Sequence, residues 1–337
     1  MSEQADAGQP PKLIDPGFVH LRVHSSYSLL EGALKLDTII GWARQNGAPA
    51  IAVTDTSNLF GALEFAQKAS GAGVQPIIGC QLALVFDGQG EQSRGRAGKG
   101  GAGDAPIVLL AASEAGYRNL VELVSRAYLD EGDLEAVRVH DGWLAGHADG
   151  LICLTGGPEG PIGAALAAGH AGLAERRLRT LAGIFGDRLY VELQRHGDWD
   201  RAVEARTVEL AYTHRLPLVA TNEAFFSARE DFEAHDALIA IAEGALLSMD
   251  DRRQLTADHW LKPPADMIAL FSDLPEATAN TVEIARRCCW FPRKIKPILP
   301  RFAAVPEGAT GEEAEQAEAD ELRRQAVEGL NARLEHQ

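Results

Sequence analysis

Short apolar runs alternate with segments of helical period through most of this chain, which restricts it to folds whose helices cross over a sheet. Strand-like runs read at Ala50 to Thr54, Pro76 to Leu84, Ile107 to Ala111, Leu151 to Thr155, Leu189 to Gln194 and Leu218 to Thr221. Between the early ones, Leu36, Ile39, Ile40 and Ala43 share one helical face, and Gly47 is placed to cap that helix. Ala62, Phe65, Ala66 and Ala69 repeat the pattern up to Gly71 and Gly73. Further helices are expected over Tyr117 to Tyr128, Ala174 to Ile184 and Arg201 to His214. Strand, helix, strand in succession implies parallel pairing. With one more strand at Phe18 to His24 the expectation is an α/β fold of seven strands, closed or nearly closed into a (β/α) barrel.

That first strand carries the most chemistry. His20, Arg22 and His24 alternate with Val19, Leu21 and Val23, so a period of two sends the apolar side chains into a core and the polar ones to the other face. Glu31 follows on the next loop. Histidines and a carboxylate at a strand end are the donors that Zn or Mn takes, whereas a guanidinium has no lone pair to give. Arg22 therefore argues that the row serves another use. His24, Asp55, Gln81, Glu192, His196, Asn222 and Glu223 all fall at or just beyond the C-terminal ends of strands, the face where such barrels keep their sites. Taken singly, each is a candidate loop hydrogen bond or helix cap.

Composition narrows the partners. A net charge of -16 repels phosphate backbones, so any DNA contact is expected to be minor and local. The basic cluster Arg286, Arg287, Arg293, Lys294, Lys296 and Arg301 reads first as a solvated helix end and loop. No apolar run is long enough to cross a bilayer, and residues 1–16, read as a flexible tail, lack the basic start and apolar core of a signal peptide. A cytoplasmic protein without membrane contact is expected. Cys80, Cys153, Cys288 and Cys289 are expected to be buried and reduced. Residues 87–104 are rich in Gly, Ser, Arg and Gln without apolar period, and read as a mobile surface insertion.

The row VHLRVHSSYSLLEG, the segment AVTDTSNLFGALEF at Ala52 to Phe65, PIIGCQL at Pro76 to Leu82, YVELQRHG at Tyr190 to Gly197 and VATNEAFF at Val219 to Phe226 carry a resemblance. Together they resemble the polymerase and histidinol phosphatase (PHP) domain, in the form found at the N-terminus of bacterial DNA polymerase III alpha subunits. The resemblance runs in order from Phe18 to Pro300 and implies a distorted seven-stranded (β/α) barrel of PHP type, over residues 17–285. Residues 286–337 then form a linker and a helical lead-in to a palm that is absent here. Glu312 to Leu334 shows helical spacing, with Leu322, Ala326, Leu330 and Leu334 on one side.

Active members of that family hold up to three metal ions through about nine side chains, and carrying those positions over shows many losses. Arg22 and His24 match a pair of histidines, Glu31 the ligand after them, and His196 the histidine of the Glu-Leu-Gln-x-His-Gly segment. Thr56 stands where a histidine is expected, Gln81 for a glutamate, Gly157 for a cysteine or histidine, Glu223 for an aspartate and Phe225 for a histidine. As metal ligands only His24, Glu31, His196 and Glu223 remain, enough for at most one weakly bound Zn or Mn, so no cofactor is expected. Arg22 is expected to stand in for the lost charge, with Glu223 or Glu31 as its bidentate partner and Glu192 next.

Polymerase chemistry is not carried by this chain either. The palm holds Mg on clustered aspartates, and no such run occurs; Asp198 and Asp200 around Trp199 are a decoy. The resemblance thus implies an N-terminal piece of a longer DNA-directed DNA polymerase. Its barrel would be a non-catalytic scaffold that supports the palm and docks the proofreading exonuclease subunit. One alternative is a metal-dependent 3'-5' exonuclease or phosphoesterase, against which the ligand losses count. Another is the same domain from an error-prone paralogue, although Leu59-Phe60-Gly61-Ala62 looks more like the replicative type.

Overall fold

The computed structural model describes residues 16–87, 105–130, 137–197, 199–249, 251–295, 302–305 and 310–335. The expected tail up to Asp15, the insertion from residue 88 to 104, Asp198, Lys296 and Arg301 lie outside the described residues. Two compact units divide between Arg293 and Lys294.

In the first unit the order is α1 (Leu36–Gln45), β1 (Ala50–Thr56), α2 (Ala62–Gly71), β2 (Gln75–Val85), β3 (Ala105–Ala111), α3 (Glu114–Leu129), β4 (Arg138–His140), α4 (Asp141–His147) and β5 (Leu151–Leu154). It continues with α5 (Gly163–Ala167), α6 (Ala171–Phe185), β6 (Leu189–Gln194), α7 (Arg201–Thr213), β7 (Leu218–Thr221), α8 (Phe232–Glu243), α9 (Pro264–Leu270) and α10 (Pro275–Arg287). The seven strands form one sheet in the order β1-β2-β3-β5-β6-β7, with β4 added to the side of β2. Helical faces bury the residues whose spacing marked them: Leu36, Ile39, Ile40 and Ala43 on α1, and Ala62, Phe65, Ala66 and Ala69 on α2.

The sheet is closed by the stretch from Phe18 to Ser25. His20 and Val23 carbonyls accept from Ala52 and Thr54 of β1, while His24 N–H donates to Ala224 just after β7 and Ala224 N–H donates back to Arg22. The stretch expected as a strand is thus an irregular stave with isolated bridges at Val23 and Ser25. Its period of two breaks accordingly. Val19 and Leu21 join one core cluster and Val23 another, and His20 turns away from the site to meet the Lys262 carbonyl at 2.8 Å and the edge of Trp42.

Parallel pairing holds for β1 with β2, β5 with β6 and β6 with β7, but β3 runs antiparallel to both β2 and β5. Only a crossover returns a chain to the starting end of a sheet. The stretch between β2 and β3 shows no helical period, and the next strand runs back. β4 is too short to show a period of its own.

Inward positions change character along the strands. Ala50 and Ala52 give way to Thr54 and Thr56, Ile77 to Gln81, Tyr190 to Glu192 and Gln194, and Val219 to Thr221, with Thr56 opposite Gln81 and Gln194 opposite Thr221. The apolar members pack into one cluster with Val108, Leu110, Ile152 and Leu154, and Val282, Ile284, Ala285 and Cys288 close that end from α10. α10 is fixed there by Asn280 donating to the Leu218 carbonyl and by Gln75 donating to the Ala285 carbonyl. Apolar filling at one end leaves the polar residues gathered at the other.

Cys80, Cys153 and Cys288 are buried free thiols, but Cys289 is exposed, because it follows the end of α10 where the chain leaves the packed face. Arg286 and Arg287 at that helix end lie beside Glu283 and Asp187. Among the described residues no helix is long and apolar enough to cross a membrane.

The second unit contains α11 (Gly311–Glu335), entered through Thr310, whose hydroxyl accepts from Glu313 N–H while the Glu313 carboxylate accepts from Thr310 N–H. Leu322, Leu330 and Leu334 of its apolar stripe are exposed.

Candidate functional site

Among the described residues Arg22 is the largest fully buried side chain, and it lies at the polar end of the barrel. Its Nη1 donates to Glu192 Oε1 at 3.0 Å, its Nη2 to Glu223 Oε1 at 2.7 Å and to Gln81 Oε1 at 2.6 Å, and its Nε to Gln81 at 3.0 Å. The expected bidentate grip on one carboxylate is not what forms. The guanidinium is shared between β6, β2 and the turn after β7, which draws opposite walls of the barrel together. Glu31 is not among its partners, being taken by Thr56 Oγ1 at 2.7 Å and by Arg253 Nη1 at 2.7 Å.

Glu192 is satisfied on all sides, accepting also from Gly156 N–H at 2.8 Å, Thr221 Oγ1 at 2.5 Å and Gln194 Nε2 at 3.2 Å. Gly156 can present that N–H because it is left-handed at φ 80°, and a Cβ there would strike the Pro106 carbonyl at 1.7 Å. Gly157 is likewise left-handed, and the end of the Gln194 side chain lies 2.8 Å from where its Cβ would be, so a side chain at this position would be strained and would have to displace Gln194.

Glu223 reaches Arg22 from a left-handed backbone (φ 48°), a conformation that costs about 1–3 kcal/mol for a residue with a side chain. Burial works to raise its pKa, but Arg22 and then His24 overcome that and hold the carboxylate well below the usual range. The same pair of carboxylates keeps Arg22 charged against its own desolvation.

His24 Nε2 lies 3.5 Å from Glu223 Oε1, and its ring stacks face to face on Phe225 at 4.2 Å. Thr56 joins it to Glu31, approaching His24 Nδ1 at 3.4 Å. His196 is held by backbone and ring contacts: its Nε2 donates to the Asn222 carbonyl at 2.5 Å and its ring stacks on His259 at 3.7 Å. Burial, then the neighbouring His259, depress His196 to about 3, and burial depresses His259 to about 4. Asp55 holds the turn that follows His24 in place, accepting from Ser25 N–H, Ser25 Oγ and Ser28 Oγ. Asp200 caps α7 through Ala202 and Val203 N–H. Among the described residues no three His, Cys, Asp or Glu side chains converge in a metal-holding arrangement.

Sequence reading missed Arg253, His259 and Glu159. Arg253 and His259 lie in a stretch after α8 with no apolar period to place it over the barrel end. Glu159 sits near Arg22 and Arg253, burial raising its pKa. Of the two arginines at this barrel end, the sequence marked only Arg22.

A family model described as the PHP domain matches residues 20–196, more than half of the chain. The chain belongs to the PHP domain family. DNA polymerase III subunit alpha of Caulobacter vibrioides is 48% identical over 320 residues, covering 95% of this chain and 27% of the relative. The subunits of the same description from Vibrio cholerae and Escherichia coli K12 are 38% and 36% identical, each covering 95% of this chain and 26% of its own length. This PHP chain therefore spans about a quarter of the length of the curated relatives it matches. Among solved structures, an amidohydrolase from Chromobacterium violaceum superposes with a TM-score of 0.40 at 15% identity, over 61% of this chain and 87% of that one.

Proposed function

We propose that this chain is the PHP portion of a bacterial replicative DNA polymerase III alpha subunit, and that its barrel is a non-catalytic scaffold. In this reading it supports the polymerase palm and docks the proofreading exonuclease in the cytoplasm. Phosphoryl transfer would belong to a Mg-dependent palm outside this chain.

The observation that carries the scaffold reading is the position of Arg22. A hydrolytic centre needs anionic or imidazole donors around its ions and an open position for activated water. Here a guanidinium binds Glu192 and Glu223, while Thr56, Gln81 and Phe225 offer neutral or apolar groups. A multinuclear metal centre does not fit this donor set. Arg22 supplies the positive charge, and a second guanidinium, Arg253, does so for Glu31.

Two measurements test the reading on the full chain. Elemental analysis and a nuclease assay in added Mn are expected to find no stoichiometric metal and no DNA degradation. Titration with the exonuclease subunit of the same bacterium is expected to give a defined complex. Metal-dependent cleavage abolished by His24→Ala and His196→Ala would overturn the scaffold reading in favour of a phosphoesterase.

A further inference from the structure

A cavity of about 100 Å³ lies between α5, the end of β6 and the start of α7. Of the residues around it, Leu193, Gln194 and Thr207 are buried while Pro158, Ala167 and Asp200 are exposed, so it opens to solvent on one side. Its lining is mainly apolar, with Val203 and the Trp199 ring among its walls. An apolar cavity of about 150 Å³ takes benzene, so this one has room for about four to six non-hydrogen atoms.

One donor in these walls is unanswered. Trp199 Nε1 is buried with no hydrogen-bond partner among the described residues, and a buried N–H lacking an acceptor costs free energy until one is supplied. The ring is held where it is, because the guanidinium groups of Arg195 and Arg201 lie over it at 5.4 and 5.3 Å. Carboxylates along the wall are engaged elsewhere: Glu192 by Arg22, Glu204 by Arg195, and Asp200 by the N–H groups of Ala202 and Val203. Among the described residues no lysine or arginine lines the cavity, so those carboxylates repel an anion, phosphate included. What fits is neutral, apolar in body, and carries an acceptor.

We propose that this cavity binds a small neutral molecule whose apolar body packs against Leu193, Val203 and Ala167 and whose carbonyl or ether oxygen accepts from Trp199 Nε1. Leu193 belongs to β6 and Val203 to α7. A molecule seated between them ties the helix to the sheet, and it stabilises the folded chain by mass action.

The test titrates cyclopentanone into the full chain and follows the Trp199 indole N–H by NMR, a signal identified by its loss in Trp199→Phe. A saturable downfield shift is expected, half complete near ~10 mM as suits so small a ligand, while the other tryptophan signals stay in place. Ala167→Phe, which fills the open side from an exposed helix position, is expected to weaken binding at least about tenfold. Trp199→Phe keeps an aromatic ring and removes the donor; it is expected to weaken binding about fivefold, read on the Val203 and Thr207 amide signals. Cyclopentylamine, a cation of similar size without an acceptor at neutral pH, is expected to bind at least about tenfold more weakly than the ketone. Absence of a saturable shift up to about 100 mM ketone would overturn the site, as would unchanged affinity in Ala167→Phe. Equal or tighter binding of the amine would overturn the assignment of a neutral acceptor. Should Ala167→Phe fail to fold, unchanged affinity in Trp199→Phe would overturn the proposal by itself.

Discussion

The two ends of this barrel are filled by opposite means. At one end Leu21, Ala52, Ile77, Leu110, Ile152 and Val219 pack against α10, a dry core whose stability grows with the apolar area removed from water. At the other, Arg22, Glu192, Glu223 and Gln81 fill the space with charges and amides that satisfy one another. A buried ion cluster of this kind roughly offsets its own desolvation, so it adds little net stability while making every member hard to remove. The apolar end holds the fold together; the polar end constrains which residues can sit there.

The sharpest way to break that comparison is Arg22→Ala. It would strand two buried carboxylates and is expected to destabilise the domain by about 3–5 kcal/mol, read by urea denaturation. Arg22→Met combined with Glu192→Gln and Glu223→Gln is expected to recover much of the loss, because neutral groups no longer need the guanidinium. An Arg22→Ala protein that unfolds like the wild type would show the cluster to be idle. At the apolar end, Leu110→Ala is expected to cost about 3 kcal/mol through lost transfer energy and a cavity. No companion substitution of charge should rescue it.

Acid sharpens the contrast further. His20 and His259 are depressed to about 4 and His196 to about 3, from an ordinary 6.5, chiefly by burial. Below pH 6.5 the unfolded chain takes up protons that the folded chain refuses, so stability falls as pH falls from there towards 4. Each such histidine steepens the loss by about 1.4 kcal/mol per pH unit. Glu223 acts later: its lowered pKa contributes stability that is present above its unfolded value of 4.5 and is lost as pH falls below it. Denaturation curves between pH 7 and 4 are expected to be shallower for His259→Gln, and an unchanged slope would contradict the buried neutral imidazole.

The smallest effect is expected for Arg253→Ala. Its side chain is 39% exposed, so the pair with Glu31 is screened by solvent and worth less than about 1 kcal/mol in thermal unfolding. A loss as large as that of Arg22→Ala would mean that the two guanidinium groups form one unit.

The fold was largely legible because burial imposes a period on each element. α1, α2, β6 and β7 lie where the apolar spacing put them, and the lack of helical period in the sequence after β2 contained the reason for an antiparallel β3. Local pattern also isolated Arg22 as out of place among would-be ligands. Its partners were another matter: Glu192 and Glu223 are 170 and 201 residues away, and choosing them over Glu31 depended on how the irregular first stave is threaded between β1 and Ala224. Arg253 and His259 have no period to announce them, since the segment after α8 is placed by ion pairs and carbonyl contacts. Residue types and spacing determined that charges would gather at one end of a barrel. Which charge meets which was decided by tertiary structure, because a charge is indifferent to sequence distance and binds whatever carboxylate the closed sheet brings within about 3 Å.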